Sequence, residues 1–359
     1  MSEASTFRPN WTSPPGETIS DMLKERRLSI GLFAKKLNQS PKYIDGLLQG
    51  FEVINADVAK MLEAILGGSS DFWLTREFQY REDLERITKL ETDIWLKELP
   101  LKDMISFGWI SGSKDLSSEC LRFFNVSSVK TWRTAHNETL AVTSFRRSDA
   151  FKSEYGAVAA WLRQGEILGA KIECKPWNAN HFEKTLEEIK PLTRKKNPKD
   201  FLPALINACA NCGVALAIVR TPTGCRASGA TRFVAENRAL LLLSFRYLSD
   251  DQFWFTFFHE AGHILLHRSK MTIVEGLIEG GDFDREKEAN LFAGEVLIPH
   301  PLQQQLNKIR GNKRDIINFA MLAGVSPGIV VGQMQHYGYV DKKYLNAFKR
   351  RFNWDNINT

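Results

Sequence analysis

The apolar and polar positions of this chain mark out one segment first. Ser249–Lys270 (SDDQFWFTFFHEAGHILLHRSK) predicts a helix that is apolar nearly all round, with Phe253, Trp254, Phe255, Phe257, Phe258, Ile264, Leu265 and Leu266 spread over every face. Such a helix belongs inside a core. Ser249 with Gln252 predicts a capping box at its start. Asp250 and Asp251 suit the positive end of the helix dipole, and His267, Arg268 and Lys270 suit the negative end. Near the N-terminus the pattern is amphipathic. Helices are predicted over Gly16–Arg27 (Ile19, Met22, Leu23), Ser29–Leu37 (Ile30, Phe33, Ala34, Leu37) and Pro41–Gln49 (Tyr43, Ile44, Leu47, Leu48). Asn55–Leu66, closed by Gly67-Gly68, and Ser70–Leu84 follow. Ser40-Pro41 supplies an N-cap with proline at the first helical position. Residues 1–15, polar and carrying Pro9, Pro14 and Pro15, read as a flexible arm.

Further along, Asp83–Leu99, Leu101–Ile105, Lys114–Phe124 and Ala150–Gln164 show helical spacing, and Trp95, Trp109, Trp132 and Trp161 indicate a packed region. Phe145-Arg146-Arg147-Ser148 reads either as a positioned arginine loop or as a salt-bridged helix start. Phe201–Asn211 is helical, and Val214–Val219 is an apolar run of strand length. Thr231–Glu236 and Ala239–Ser244 are set to pair as a hairpin across Asn237-Arg238. Such a strand beside the apolar helix is placed to bind an extended segment by edge pairing. Arg314–Tyr337 repeats a helix–turn–helix look, read mainly as a cap and otherwise as a second DNA reader. Lys342–Trp354 reads as a basic terminal helix or strand packed by Phe348, Phe352 and Trp354. The expected fold class is mainly α with a small β-sheet (α+β). The expected divisions are an arm 1–15, a helical bundle 16–85, a mostly helical region 86–198, a domain around the apolar helix 199–310 and a helical cap 311–359.

Composition changes this picture little. Apolar content of 43% and charged content of 25% in 359 residues describe an ordinary globular protein. No apolar run approaches the roughly 20 residues a bilayer needs, and MSEASTFRPNW has no basic-then-apolar signal pattern, so a cytoplasmic protein without a membrane partner is expected. The net charge of +6 permits nucleic-acid contact. The basic clusters Thr193–Lys199 and Lys342–Arg351 read as solvated surface. The five cysteines are expected reduced, with Cys209 and Cys212 packed into a core.

The chemistry sits in the apolar helix. His259-Glu260-Ala261-Gly262-His263 is an H-E-x-x-H, and residues four apart share a helix face. His259 and His263 can therefore point two imidazoles at one Zn²⁺, with Glu260 beside them as general base. The other reading is two core histidines with local hydrogen bonds. A catalytic zinc takes a third protein ligand. Downstream, Glu286 and Glu288 lie on roughly opposite faces of a predicted helix. Glu286 shares its face with Ala289, Asn290 and Ala293, so Glu286 is assigned as ligand with Asn290 supporting a histidine ring, and Glu288 stands as the alternative. Arg232, Tyr247, His267 and His300 are candidates for an oxyanion donor. His267 reads equally as a helix C-terminal cation. His136, His181 and His336 read as structural or surface residues. In the N-terminal bundle, the helices Ser29–Leu37 and Pro41–Gln49 are joined by a three-residue turn, the helix-turn-helix pattern. Gln39, Ser40, Lys42, Tyr43, Asp45 and Gln49 would meet base edges, and Lys35 and Lys36 would meet phosphates. The alternative is a small bundle for protein contact.

Two resemblances follow from these residues. PPGETISDMLKERRLSIGLFAKKLNQSPKYIDGLLQG and its continuation through Ser69–Trp73 resemble the XRE-type helix-turn-helix domains of HigA-type antitoxins, over about the first quarter of the chain. That resemblance implies a homodimer on a palindromic double-stranded DNA operator. FTFFHEAGHILLH with EKEANLFAGEVLIP resembles the ImmA/IrrE family of metallopeptidases, over roughly Phe201–Pro299. In that family the third ligand is the glutamate of an E-x-x-x-N/D pattern, which falls on Glu286 and Asn290. Its members cleave or inactivate repressor proteins. Together the resemblances imply a DNA-binding transcriptional regulator of toxin–antitoxin or mobile-element type, with a zinc-dependent peptidase domain acting on a regulatory protein or a cognate toxin. The alternatives are a metal domain that senses or binds a partner without cutting, and a plain peptidase whose bundle recruits a protein.

Overall fold

The computed structural model describes residues 9–142, 149–267, 273–274, 283–309 and 311–357. The loop Phe145–Ser148 lies outside them. The chain divides into two compact units, residues 1–95 and 96–359.

In the first unit lie α1 (Pro15–Glu25), α2 (Ile30–Leu37), α3 (Pro41–Leu48), α4 (Ala56–Leu66) and α5 (Ser70–Glu98), whose last residues fall beyond the division. Side-chain caps start four of them: Ser29 Oγ accepts from Leu32 N, Ser40 Oγ from Tyr43 N, Asn55 Oδ1 from Val58 N and Ser69 Oγ from Phe72 N. Asn38 ends α2 in the left-handed region (φ 52°), a conformation asparagine tolerates, and so sets the turn into α3. The apolar stripes meet in a core of Ile19, Leu23, Phe33, Leu37, Ile44, Leu47, Leu62, Leu66 and Trp73. Gly16 lets α1 cross α3 in contact, since a β-carbon there would lie 2.0 Å from Leu48 O. The two stretches expected at Ser70–Leu84 and Asp83–Leu99 form the single helix α5. No glycine or proline interrupts them, and Pro100 follows its end. The arm is fixed over its described part. Pro15 already belongs to α1, Arg76 donates to Ser13 O and Oγ (2.7 and 2.6 Å), and Arg86 donates to Pro9 O (2.7 Å).

The second unit opens with α6 (Leu101–Ser106), α7 (Leu116–Phe124), α8 (Val129–Val142), α9 (Asp149–Ala170), α10 (Ala179–Ile189) and α11 (Pro198–Ala210). It continues with β1 (Val214–Ile218), β2 (Gly229–Ala235), β3 (Arg238–Leu243), α12 (Asp250–Leu266), β4 (Ile273–Val274), α13 (Phe283–Leu297), α14 (His300–Leu306), α15 (Lys313–Ala323) and α16 (Pro327–His336). The fold is thus mainly helical with a small mixed sheet, an α+β architecture, of order β1-β3-β2-β4. β1 runs parallel to β3 (Val214↔Ala239), and β2 runs antiparallel to it (Gly229↔Leu243). The hairpin turns on Glu236-Asn237, one residue before the expected pair.

Strand alternation gives the sheet two buried faces. Ala215, Ala217, Leu240 and Leu242 pack on Val158 and Trp161 of α9. Gly165 and Gly169 of α9 leave room for Leu242 and Leu240, since β-carbons there would lie 1.6 and 2.4 Å from their side chains. On the other face, Leu216, Leu241 and Leu243 join Phe201, Trp254, Phe257 and Phe258 in one core that runs from Phe182 to Ile357. The divisions expected at 198 and 310 therefore do not separate cores, and the one expected at 85 falls within α5.

The C-terminal part differs from expectation. α16 lays Gly328, Ile329, Val330, Val331, Gln333, Met334 and Gln335 into the interior, so it presents no face to a DNA groove. Lys342–Trp354 forms neither a helix nor a strand but turns, a short 3₁₀ segment and one bridge, Ser249↔Arg351. Its Phe352 and Trp354 rings pack on Phe245 (5.4 and 6.1 Å between centroids). The five cysteines are free thiols. Cys209 and Cys212 are buried, and burial pushes both thiols up in pKa, so they behave as core residues. Among the described residues no single helix is long and apolar enough to cross a membrane.

Candidate metal centre

α12 carries the centre because its surroundings force it inside. Phe253, Trp254, Phe257, Phe258, Ala261 and Ile264 are buried, and His259, Glu260 and His263 are enclosed with them. Its N-terminus is built differently from the predicted capping box. No side chain caps the helix, and the Ser249 hydroxyl instead bonds the Asp251 carboxylate. Asp250 accepts from Ser326 Oγ (2.8 Å) and Arg350 N (3.0 Å), and Asp251 pairs with Lys349 Nζ (2.6 Å). Gly328 and Gly332 of α16 make space for these two aspartates.

α13 approaches α12 closely at Gly262, where a β-carbon would stand 3.0 Å from Phe292 Cδ1 and 3.4 Å from Ala289 Cα. The buried small residues Ala289 and Ala293 make up the facing side of α13. On that side, Glu286 and Asn290 reach the histidines. His259 Nε2 and His263 Nε2 lie 3.0 Å apart. Glu286 Oε2 stands 3.3 Å from the first and Oε1 3.3 Å from the second. One ligand atom from each of the three residues falls within 4.8 Å of the others. Two imidazole nitrogens and a carboxylate converging on one point is a donor set that suits Zn²⁺.

The remaining ring nitrogens are engaged as well. His259 Nδ1 is 3.0 Å from Asn290 Oδ1. His263 Nδ1 is 3.0 Å from His267 Nδ1, and His267 Nε2 is 3.0 Å from Glu288 Oε2. Glu288, the alternative third ligand, thus turns to His267 and away from the convergence point. The facing rings of His259 and then His263 hold the Glu286 carboxyl well below its usual range. Burial, outweighing the opposing carboxylate of Glu286, lowers the pKa of His263 and keeps its ring neutral.

Glu260 is fully buried and points at the start of β2, against Gly229. The proposed oxyanion donors fare unevenly. Arg232 bonds Glu166 of α9 (2.6 Å), His300 pairs with Gln304 (3.3 Å) and Tyr247 stacks under Arg246 (5.0 Å). His267 is committed to His263. An aromatic wall escaped the sequence reading: the Phe255 ring stacks on His259 (6.3 Å) and lies 6.2 Å from His336. Its signal was the four-residue spacing of Phe255 and His259 on one helix. In the N-terminal unit, Lys35, Lys36, Gln39, Ser40, Lys42, Asp45 and Gln49 are exposed, and Tyr43 is half-buried. Ser40 also serves as the N-cap of α3, and Gln49 Nε2 donates to Asp45 Oδ1 (2.9 Å).

Residues 215–332 match the sequence model of a peptidase family described as the IrrE N-terminal-like domain. The match runs from β1 into α16 and so contains His259, Glu260, His263, Glu286, His267, Glu288 and Asn290. Comparison with curated proteins and with solved structures returned no match.

Proposed function

We propose that this chain is a DNA-binding regulator whose second unit is a zinc-dependent peptidase acting on a regulatory protein or a cognate toxin. The observation that carries the peptidase reading is the convergence of His259, His263 and Glu286 beside the buried Glu260. His259 and His263, through Nε2, and Glu286, through its carboxylate, would hold Zn²⁺. When bound, zinc supplies Lewis acidity and a water far more acidic than in bulk. Glu260 follows the first ligand directly and is walled from bulk solvent. It takes the proton of the attacking water and delivers it to the amine nitrogen as the peptide bond breaks. The DNA reading is supported by the exposed polar residues along the turn and α3, with Lys35 and Lys36 flanking them. A palindromic operator would be met by a homodimer.

The test is metal analysis coupled to a cleavage assay. The purified protein is expected to hold about one zinc per chain, and His263→Ala to lose it. Glu260→Gln should retain the metal and lose cleavage of the partner protein or of the chain itself. Zinc retained at the wild-type level in both His259→Ala and His263→Ala overturns the site. Unchanged regulation in cells by Glu260→Gln overturns the catalytic role in favour of a non-cleaving sensor.

A further inference from the structure

We infer that His267 and Glu288 are positioning residues: they form a hydrogen-bonded relay that fixes the ring orientation and tautomer of His263 and thereby sets the metal affinity of the centre. This inference rests on the metal reading given above and adds to it residues outside the H-E-x-x-H.

For Nε2 of His263 to act as a ligand it must carry a lone pair, so the proton of the neutral ring sits on Nδ1. Nδ1 is 3.0 Å from His267 Nδ1, which must then be the acceptor. A neutral His267 accepting at Nδ1 carries its proton on Nε2, and that nitrogen faces Glu288 Oε2 at 3.0 Å. A carboxylate accepts without needing a proton of its own. The sequence of donors therefore runs one way, from His263 through His267 to Glu288, and each tautomer is determined by the next contact. The opposite order would place a proton on His263 Nε2 and block the ligand position.

Placement supports the same role. The His267 side chain is only 5% exposed although it caps the end of α12, whereas a residue there merely to complement the helix dipole would sit in solvent. Its backbone N–H bonds His263 O (3.1 Å), so the two rings are held one turn apart on one face. Glu288 is 60% exposed, and its carboxylate reaches in to the buried ring. The two ligand histidines are thus treated alike: each meets, at Nδ1, an acceptor system anchored on α13, Asn290 for His259 and Glu288 by way of His267 for His263. Acceptors of this kind raise ligand basicity and lock the ring.

The experiment is a zinc competition titration against a chromophoric chelator, with thermal melting of the metal-free proteins alongside. Wild type, His267→Leu, His267→Gln, Glu288→Leu and Glu288→Gln are compared. His267→Leu should weaken zinc about 10- to 100-fold, the usual effect of removing such a partner. Its metal-free melting temperature should stay at the wild-type value. His267→Gln, whose amide can both accept and donate, should recover part of the loss. Glu288→Leu should weaken zinc more than Glu288→Gln, which keeps an oxygen acceptor, and as a largely exposed site it reads out even if His267→Leu fails to fold. Wild-type affinity in His267→Leu, or in Glu288→Leu if His267→Leu does not fold, overturns the relay while leaving the metal centre standing. Absence of zinc from the wild-type protein overturns the metal reading itself.

Discussion

Gly229 at the start of β2 lies so close to Glu260 of α12 that a β-carbon on it would stand 2.4 Å from Glu260 Oε1 and 2.6 Å from Cγ. The first residue of the hairpin strand is therefore glycine for reasons of space, and the strand closes the chamber around the carboxylate. Gly229→Ala should displace Glu260 while leaving His259, His263 and Glu286 in place. The expected outcome is near-normal zinc content with at least tenfold lower cleavage. Unaltered cleavage in Gly229→Ala would show that Glu260 has freedom the packing denies it.

The N-terminus of α12 is tied to the C-terminal tail by a buried charge pair. Lys349 Nζ lies 2.6 Å from Asp251, with side-chain exposures of 10% and 3%. Lys349 also donates to Gln335 Oε1 (2.6 Å), Asp250 N–H donates to Arg350 O (3.1 Å) and Arg350 N–H donates to the Asp250 carboxylate (3.0 Å). Removing one member of such a pair leaves an uncompensated buried charge, a loss of about 3–5 kcal/mol. Lys349→Met should lower unfolding stability by that order in a urea titration, and adding Asp251→Asn should restore part of it. A loss under about 1 kcal/mol, the size of a surface pair, would contradict the buried assignment.

The pKa directions at the centre set an acid sensitivity. Burial places His263 below its ordinary 6.5. The unfolded chain therefore binds more protons than the folded one as pH falls from 6.5 to the lowered value, and stability declines through that window. Glu286, held below its ordinary 4.5 by the histidines, adds a loss of the same sign at lower pH. These two groups should thus make the metal-free protein lose stability on acidification below about pH 6.5, against an opposing gain at lower pH from Asp250, whose buried carboxyl is pushed above its ordinary 3.8. His263→Gln should flatten the upper part of the decline and Glu286→Gln the lower. A His263→Gln profile that declines just below pH 6.5 as steeply as wild type would refute the His263 shift.

What the sequence disclosed and what it withheld divide along physical lines. Local rules exposed the N-cap Ser40, the apolar α12 and the shared face of Glu286 and Asn290, because each depends on short-range residue pattern alone; the caps Ser29 and Asn55 emerged only in the structure. The role of His267 was hidden, since its partner Glu288 lies on another helix, and nothing within its own helix separates the dipole reading from that of an oxyanion donor. The tail clasp was equally hidden: Lys349 looks like one more surface lysine until the buried Asp251 is seen beside it. The capping box at Ser249 failed because Asp251 competes for its hydroxyl. The continuity of α5 was legible in the absence of glycine and proline, but two overlapping apolar patterns suggested a break.

The proposed DNA contacts separate into two kinds that one titration distinguishes. Lys35 and Lys36 lie exposed in the last turn of α2, and Lys42 and Gln49 lie exposed on or at the end of α3, while Ile44 and Leu47 anchor α3 in the core. If α3 enters a major groove, Gln49→Ala should cost about 1–3 kcal/mol against the preferred operator and relax its sequence preference. Lys35→Ala and Lys36→Ala should weaken binding to all sequences alike and reduce the salt dependence by about one counterion each. Gel shifts against the chain's own promoter at several salt concentrations measure both effects. Wild-type shifts in Lys42→Ala, Gln49→Ala and the lysine variants would reassign the bundle to protein contact.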